Sequence, residues 1–285
     1  MSEILITGAT GNVGGELIKI FSREAVGGAI AAVSDAAKDA NHFSADIERR
    51  EFDFTRPETF VAAMRGVNKV FLMRPPAISN ARRDIFPFLA YCRRVNVRQI
   101  VLLSLLGAEK LSFTPHRKIE LEILRLGLPH TFLRSGFFMQ NLSTTHRDEI
   151  KNESEIFVPA GKGKTSFVDA RDIAEVAFLS LFGAKHSGKA YELTGNEALS
   201  YYEVAEILSK ALGRHISYRN PSLVSFIWRT WRKHRNFPFA LVTAIIYITA
   251  RLGRAGLVTK DLEKILQRQP TSFQKFAEDY KECWL

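Results

Sequence analysis

The chain has 285 residues, 46% hydrophobic and 25% charged, which is apolar material for one large core or for a main domain with a small appendage. Cys92 and Cys283 lie far apart and the seven His residues are scattered, so neither a disulfide framework nor a metal site is indicated. Forty Lys and Arg against thirty Asp and Glu leave a net charge of +10, which by itself fits nucleic acid, an acidic membrane surface or a phosphorylated cofactor.

Residues 4–7 read as a buried strand that starts at once, leaving no room for a signal or transit peptide, so a cytoplasmic location is expected. Gly8, Gly11 and Gly14 follow, and residues 13–21 are amphipathic at helical spacing. Strand, glycine turn and helix in that order suit a dinucleotide. The glycines let the backbone approach a pyrophosphate, whose charge then sits on the open N–H groups at the helix start. The GxxGxxG spacing resembles the short-chain dehydrogenase/reductase superfamily in its extended and atypical branches, and Thr10, Asn12 and Val13 are expected along the phosphates.

Residues 29–33 read as the second strand, whose end reads the adenosine ribose in such folds. Ser34 and Lys38 can hold a 2′-phosphate, which leans toward NADPH, whereas an inward Asp35 would repel it. NADPH and NADH both stay open. A third strand is expected over 50–54, with Asp53 placed to receive the adenine amino group or simply to tie down the turn, and with Phe54 beside it. Thr55 is positioned to cap the next helix. A fourth strand over 69–73 leaves the sheet at Met73 and Arg74, beside the cofactor path, through Pro75 and Pro76. Residues 80–95 read as a helix that Pro87 kinks or begins. The fifth strand, 99–104, is nearly continuously apolar and ends at Ser104, where ligands bind in doubly wound sheets.

Beyond the sixth strand (130–134), residues 136–142 set large apolar groups beside Gln140 and Asn141, as a lid over a flat acceptor would need. Residues 161–164 read as a hairpin turn between strands at 156–159 and 165–168, not as a phosphate loop, and Asp172 as the cap of a helix over 173–181. A strand at 190–193 would open a smaller lobe, in which Ser200 and Glu203 form a capping box for a helix to Leu212. The basic run 229–235 is read as a solvated face with Trp228 and Trp231 tucked into the core, so nucleic acid is not expected. Residues 237–252 carry one charge, Arg251, and are short for a membrane span of about 20 residues. They read as a buried or substrate-covering helix, with a membrane-surface role as the lesser reading. Residues 271–284 form a last amphipathic helix that docks on the lobe.

Val70-Phe-Leu-Met-Arg-Pro-Pro-Ala77, Ser104-Leu-Leu-Gly-Ala108, His116, Gly127-Leu-Pro-His-Thr-Phe-Leu-Arg134, Gly136-Phe-Phe-Met-Gln-Asn-Leu142 and Phe167-Val-Asp-Ala-Arg-Asp-Ile-Ala174 occur in this order. Together they resemble the NmrA-like family of atypical short-chain dehydrogenases. The resemblance implies an α/β Rossmann-type doubly wound parallel sheet with a small, mostly helical C-terminal lobe. It places an NAD(P)-binding core in 1–150, and the completion of that core plus a substrate-covering lobe in 151–285. It also implies hydride transfer from NAD(P)H to a conjugated acceptor such as a quinone or aromatic dye, or else a cofactor-binding redox sensor that acts through a protein partner.

The superfamily's chemistry uses a Ser, a Tyr as acid/base and a Lys four residues later. Here the Tyr position falls on Ser112 and the Lys position on His116, which weighs against alcohol oxidation. His116 is then a candidate acid or ribose contact, unless it merely starts a helix after Pro115. Ser104 is the second catalytic or cofactor-contact candidate. Gly136 and Phe137 are expected at the nicotinamide, and Phe138 and Asn141 at the substrate. Ser135 departs from the family's usual Arg-Pro-Gly and loosens that turn. No membrane span and no metal are expected, and a homodimer stands among the expectations for assembly.

Overall fold

In chain order the computed structural model begins with β1 (Glu3–Ile6), α1 (Asn12–Arg23), β2 (Ala29–Val33), β3 (Glu48–Glu51), α2 (Thr59–Ala63), β4 (Val67–Met73), α3 (Ala81–Asp84), α4 (Phe86–Arg94), β5 (Gln99–Leu105), α5 (Pro115–Arg125) and β6 (His130–Ser135). Next come β7 (Phe137–Phe138), α6 (Arg147–Glu153), β8 (Glu155–Phe157), β9 (Lys164–Thr165) and β10 (Phe167–Val168), then α7 (Ala170–Phe182) and β11 (Lys189–Leu193). The chain ends with β12 (Leu199–Ser200), α8 (Tyr201–Leu212), β13 (Ser217–Arg219), α9 (Leu223–His234), α10 (Phe237–Arg251), α11 (Asp261–Leu266) and α12 (Phe273–Tyr280). The structure describes residues 3–35, 43–44 and 47–285. Two units divide it: the first runs to Ser135 and resumes for Ala170–Leu193, and the second comprises Gly136–Asp169 and Thr194–Leu285.

The first unit is a seven-stranded sheet in the order β11-β6-β5-β4-β1-β2-β3, parallel at every pairing. This is a Rossmann-like α/β arrangement, with the strand order reversing between β1 and β4, where ligands bind in such sheets. Its inner strands are covered on both faces, so β2 is buried throughout and β5 everywhere but Leu105. α1 packs on α7, and the ring of Phe21 meets those of Phe178 and Phe182 at 5.1 and 5.8 Å. On the other face Phe52, Phe54, Phe60 and Phe88 form an edge-to-face cluster. Fully burying each such ring contributes about 1.5–3 kcal/mol.

Several expected boundaries move, each for a local reason. The third strand lies at Glu48–Glu51 instead of 50–54, because Phe52 and Phe54 turn into the aromatic cluster and Asp53 folds the chain back. Thr55 gives its hydroxyl to Asp53 and caps nothing; α2 begins only at Thr59. The helix expected over 80–95 is two helices, broken at Ile85, with Pro87 in the first turn of the second. Asp172 sits buried inside the first turn of α7, which starts at Ala170, and so is not its cap. The strand near 190–193 does not belong to a separate lobe: as β11 it is the edge strand beside β6.

The second unit is built on three small two-stranded sheets, β10–β7, β12–β9 and β13–β8. The expected hairpin around residues 161–164 is absent. β8 instead pairs parallel with β13, β9 pairs antiparallel with β12, and the turn's Gly161 N–H is taken by the Asn220 side chain. The core centres on Tyr201, Phe273, Phe276 and Trp284, all nearly solvent-free, with the Trp284 indole donating to the Leu142 carbonyl at 3.0 Å. The Ser200–Glu203 capping box is formed in both directions, and α12 docks through Phe273, Phe276 and Ala277 as its periodicity requires.

Two expectations fail in this unit. Trp228 and Trp231 are 54% and 42% exposed, not tucked into the core. α10 buries only Ala240, Ala244, Tyr247 and Ala250, leaving its opposite face in solvent. A helix apolar all round is expected to be buried all round, but the second unit supplies packing partners for one face only.

Candidate functional site

The glycine turn links β1 to α1. Thr7 fixes its start by donating its hydroxyl to the Phe71 carbonyl at 3.1 Å and accepting the Met73 N–H at 2.8 Å, which ties the ends of β1 and β4 together. Gly8 adopts φ +65°, and its carbonyl accepts the Gly11 N–H at 2.9 Å. A Cβ on Gly14 would lie 2.2 Å from the Gly8 carbonyl oxygen, so only glycine permits this approach of helix to turn. α1 then begins after Gly11 with no side-chain cap and no acidic residue in its first turn. Its first N–H groups and its positive dipole end are left for an anion.

The other expected cofactor residues divide between exposed and enclosed positions. Thr10 is exposed and Asn12 half-buried, whereas the Val13 side chain is wholly in the core, leaving only its backbone to face a ligand. Ser34 is exposed just beyond β2; Lys38 lies outside the described residues. Asp53 accepts both the backbone N–H and the hydroxyl of Thr55 at 2.8 Å through Oδ1. Phe54 is 4% exposed among the aromatic cluster. Met73 packs against the turn, its Cε 2.2 Å from where a Gly8 Cβ would stand. Arg74 donates to the carbonyls of Pro75 and Ile78 at 2.9 and 2.6 Å, and its buried Nε has no hydrogen-bond partner among the described residues.

α5 brings His116 to this end of the sheet. Thr114 caps the helix and Pro115 opens it, so the ring stands in the first turn. Burial, and then the Arg74 guanidinium, bring the His116 pKa down to about 4 against the opposing pull of Glu120. The imidazole is therefore neutral at pH 7: it can donate or accept a hydrogen bond but holds no second proton to give.

One turn further along α5 stands Glu120, fully buried. Its Oε1 accepts the Ser104 hydroxyl at 2.7 Å and Arg134 Nε at 3.0 Å, while its Oε2 accepts one N–H each from Arg134 and Arg117 at 2.9 Å. Burial alone would raise its pKa, but the hydrogen bonds from Arg134, Ser104 and Arg117 outweigh that and hold it below the ordinary carboxylate value. Ser104 and Arg134 face each other in the β5–β6 register, so the sheet presents them to the carboxylate together. The Ser104 proton is thus committed, and toward a ligand the hydroxyl offers a lone pair. Sequence reasoning missed Glu120, since an acid three residues after an Arg is common on any helix. Ser112, at the family's Tyr position, is exposed outside any helix or strand.

The remaining candidates belong to the second unit. Phe137 and Phe138 form β7 against β10, and the Phe137 ring lies 6.4 Å from Phe167 and 6.0 Å from Tyr247. Gly136 is half-buried ahead of them. Gln140 is buried and donates to Asp169 at 2.8 Å, while the half-buried Asn141 makes no side-chain hydrogen bond among the described residues. Close by, Glu149, His146 and Tyr247 form a buried chain: His146 Nδ1 lies 3.0 Å from Glu149, and Nε2 lies 2.5 Å from the Tyr247 hydroxyl, whose pKa burial raises. Sequence reading gave no sign of this chain, whose Tyr is 101 residues from its His.

The chain is 33% identical over 224 residues to an NAD(P)H azoreductase of Xenophilus azovorans, covering 75% of this chain and 76% of that protein. Its fold matches a triphenylmethane reductase of Citrobacter sp. solved with NADP(H), with TM-score 0.84 and 26% identity over 98% of this chain and 99% of that one. It also matches an NADPH-dependent quinone oxidoreductase of Escherichia coli solved with NADPH, with TM-score 0.85 and 25% identity over 97% and 99%. The NmrA-like family model spans residues 1–282. With its glycine turn at the strand-order reversal and this match over nearly its whole length, the chain belongs to the NmrA-like family.

Proposed function

We propose that the protein is an NAD(P)H-dependent oxidoreductase that passes hydride to a conjugated acceptor such as a quinone or an aromatic dye. The observation that carries this reading is the start of α1, uncapped and free of acid, over a turn whose Gly14 leaves no room for a Cβ. The Thr10, Asn12 and Val13 N–H groups would hold a pyrophosphate there, with Ser34 and Lys38 toward a 2′-phosphate, which favours NADPH. The buried, unpartnered Arg74 Nε supplies one further donor beside β4. The cytoplasm, which maintains a reduced nicotinamide pool, is the compartment this reading implies. Azo, quinone and triphenylmethane substrates in the relatives' names support an acceptor of this class.

When bound, the reduced nicotinamide supplies the hydride. Gly136 and Phe137 would flank it, and Phe138 and Asn141 would orient the acceptor, Asn141 through an amide with no partner of its own among the described residues. Holding donor and acceptor in contact contributes on the order of 7–11 kcal/mol in favourable cases. Hydride arrival leaves negative charge on a neutral acceptor such as a quinone, and neutralises a cationic dye. A neutral His116 stabilises that charge with an N–H hydrogen bond, or else holds the ribose, and water delivers the proton. Ser104, whose own proton goes to Glu120, accepts a hydrogen bond from a hydroxyl of the bound cofactor.

The experiment is calorimetric titration with NADPH and NADH, followed by absorbance at the reduced-nicotinamide band with a panel of quinones and dyes. Binding that Gly14→Ala abolishes, together with acceptor-dependent oxidation, is the expected result. A rate with no inflection between about pH 5 and 8 would match His116 acting in its neutral form. Tight binding with no acceptor reduced would instead favour a redox sensor, a reading that the Ser112 and His116 substitutions at the Tyr and Lys positions keep in play.

A further inference from the structure

The net charge of +10 is not spread along the chain. Residues 207–260 contain ten Lys and Arg and no Asp or Glu, so the rest of the chain is balanced, thirty against thirty. Four of the ten are partly spent inside the second unit: Arg219 and Arg229 on Glu155, Lys233 near Glu149, and Arg214 on the Trp284 and Ile150 carbonyls. Arg235, Arg251 and Arg254 are exposed and make no ion pair among the described residues.

The same stretch holds the largest run of exposed apolar side chains. On α9, Val224, Trp228 and Trp231 recur at helical spacing with exposures of 78, 54 and 42%. On α10, Val242, Ile245 and Leu252 are 57, 60 and 63% exposed. The two faces join where the Trp231 and Phe237 rings meet edge to face at 6.4 Å, and the Arg232 guanidinium stacks 4.6 Å above Trp228. Among the described residues no helix is long and apolar enough to cross a membrane.

We propose that α9 and α10 dock this protein, lying flat, on an anionic phospholipid surface. An acid-free stretch that exposes apolar side chains and cations together, with Trp where apolar meets polar, is what interfacial binding requires: acyl chains cover the apolar groups and acidic headgroups meet the cations. Charge selects this occupant over a second copy of the chain, because an isologous contact would set two acid-free, net-positive stretches against each other. It also selects lipid over nucleic acid, which gains nothing from covering Val242 and Ile245.

The test is sedimentation of the full chain with phosphatidylglycerol or phosphatidylcholine vesicles, with tryptophan emission recorded alongside. Expected are binding at least about tenfold tighter to the anionic vesicles, a blue shift from Trp228 and Trp231, and weakening by salt. Val242→Asp with Ile245→Asp should remove binding with the melting temperature and cofactor affinity unchanged. Changing Arg235, Arg251 and Arg254 to Gln should weaken it about fivefold per charge. Equal binding to both vesicle types, no binding at low salt, retention by the double Asp variant, a dimer that the double Asp variant dissociates, or a preference for duplex DNA over vesicles would each overturn the proposal.

Discussion

At the carboxyl end of the sheet a fully buried carboxylate, Glu120, is met by Ser104, Arg117 and Arg134, whereas on α9 and α10 Trp228, Val242 and Ile245 stand in solvent and Arg235, Arg251 and Arg254 are exposed. The first region places charge inside and satisfies both oxygens of Glu120; the second places hydrocarbon outside and leaves Arg235, Arg251 and Arg254 with no ion pair among the described residues. A buried polar group must carry its partners with it, because water cannot reach it to make good a missing one. An exposed apolar face faces no such demand, and its cost is settled only when something covers it. Interior polarity therefore reports on the fold, and exterior hydrocarbon reports on what the fold meets.

The contrast is broken most severely by Glu120→Leu, which takes the buried carboxylate from Arg117 and Arg134, leaving Arg134 only Glu109 at 2.9 Å, and should lower stability by about 3–5 kcal/mol in urea titration. Ser104→Ala removes one hydrogen bond to that carboxylate and should cost about 1.5–3 kcal/mol in the same measurement, with Glu120 still held by its arginines. His116 sharpens the contrast through pH. Its folded pKa of about 4 lies below the ordinary histidine value, so it has no effect above about pH 6.5, and stability is lost as pH falls toward 4, where the unfolded chain takes the proton first. The loss should be about 1–2 kcal/mol after allowance for solvent screening of a half-buried ring, and His116→Asn should flatten it. Ile245→Ser, on the outer face, should change stability by no more than about 0.5 kcal/mol, visible as an unmoved urea midpoint.

How much of this could be read in advance depended on the range of the interactions. The β1 turn and α1 were legible because three apolar residues and a Thr, three glycines and an amphipathic run are local signals that need no partner elsewhere. The Ser200 capping box was legible for the same reason, its two partners being three residues apart. Glu120 was not: its meaning comes from Ser104 and Arg134, which lie 16 and 14 residues away and are brought together by strand register. β11 was misplaced because a short strand carries no mark of the sheet it joins. Trp228, Trp231 and α10 were misread because hydrophobicity was taken to mean burial, while counting signs along residues 207–260 would have shown a region unlike the rest.

The chain passes from the first unit to the second at Gly136, returns at Ala170, and leaves again at Thr194. During synthesis, then, β6 waits with one edge unpaired while residues 136–188 emerge, until β11 reaches it. An open edge beside a half-made sheet invites pairing with another nascent chain. A ribosome that stalls between Asp169 and Lys189 would leave the protein at its most aggregation-prone, and a truncated chain ending there would be expected to need a chaperone to stay in solution.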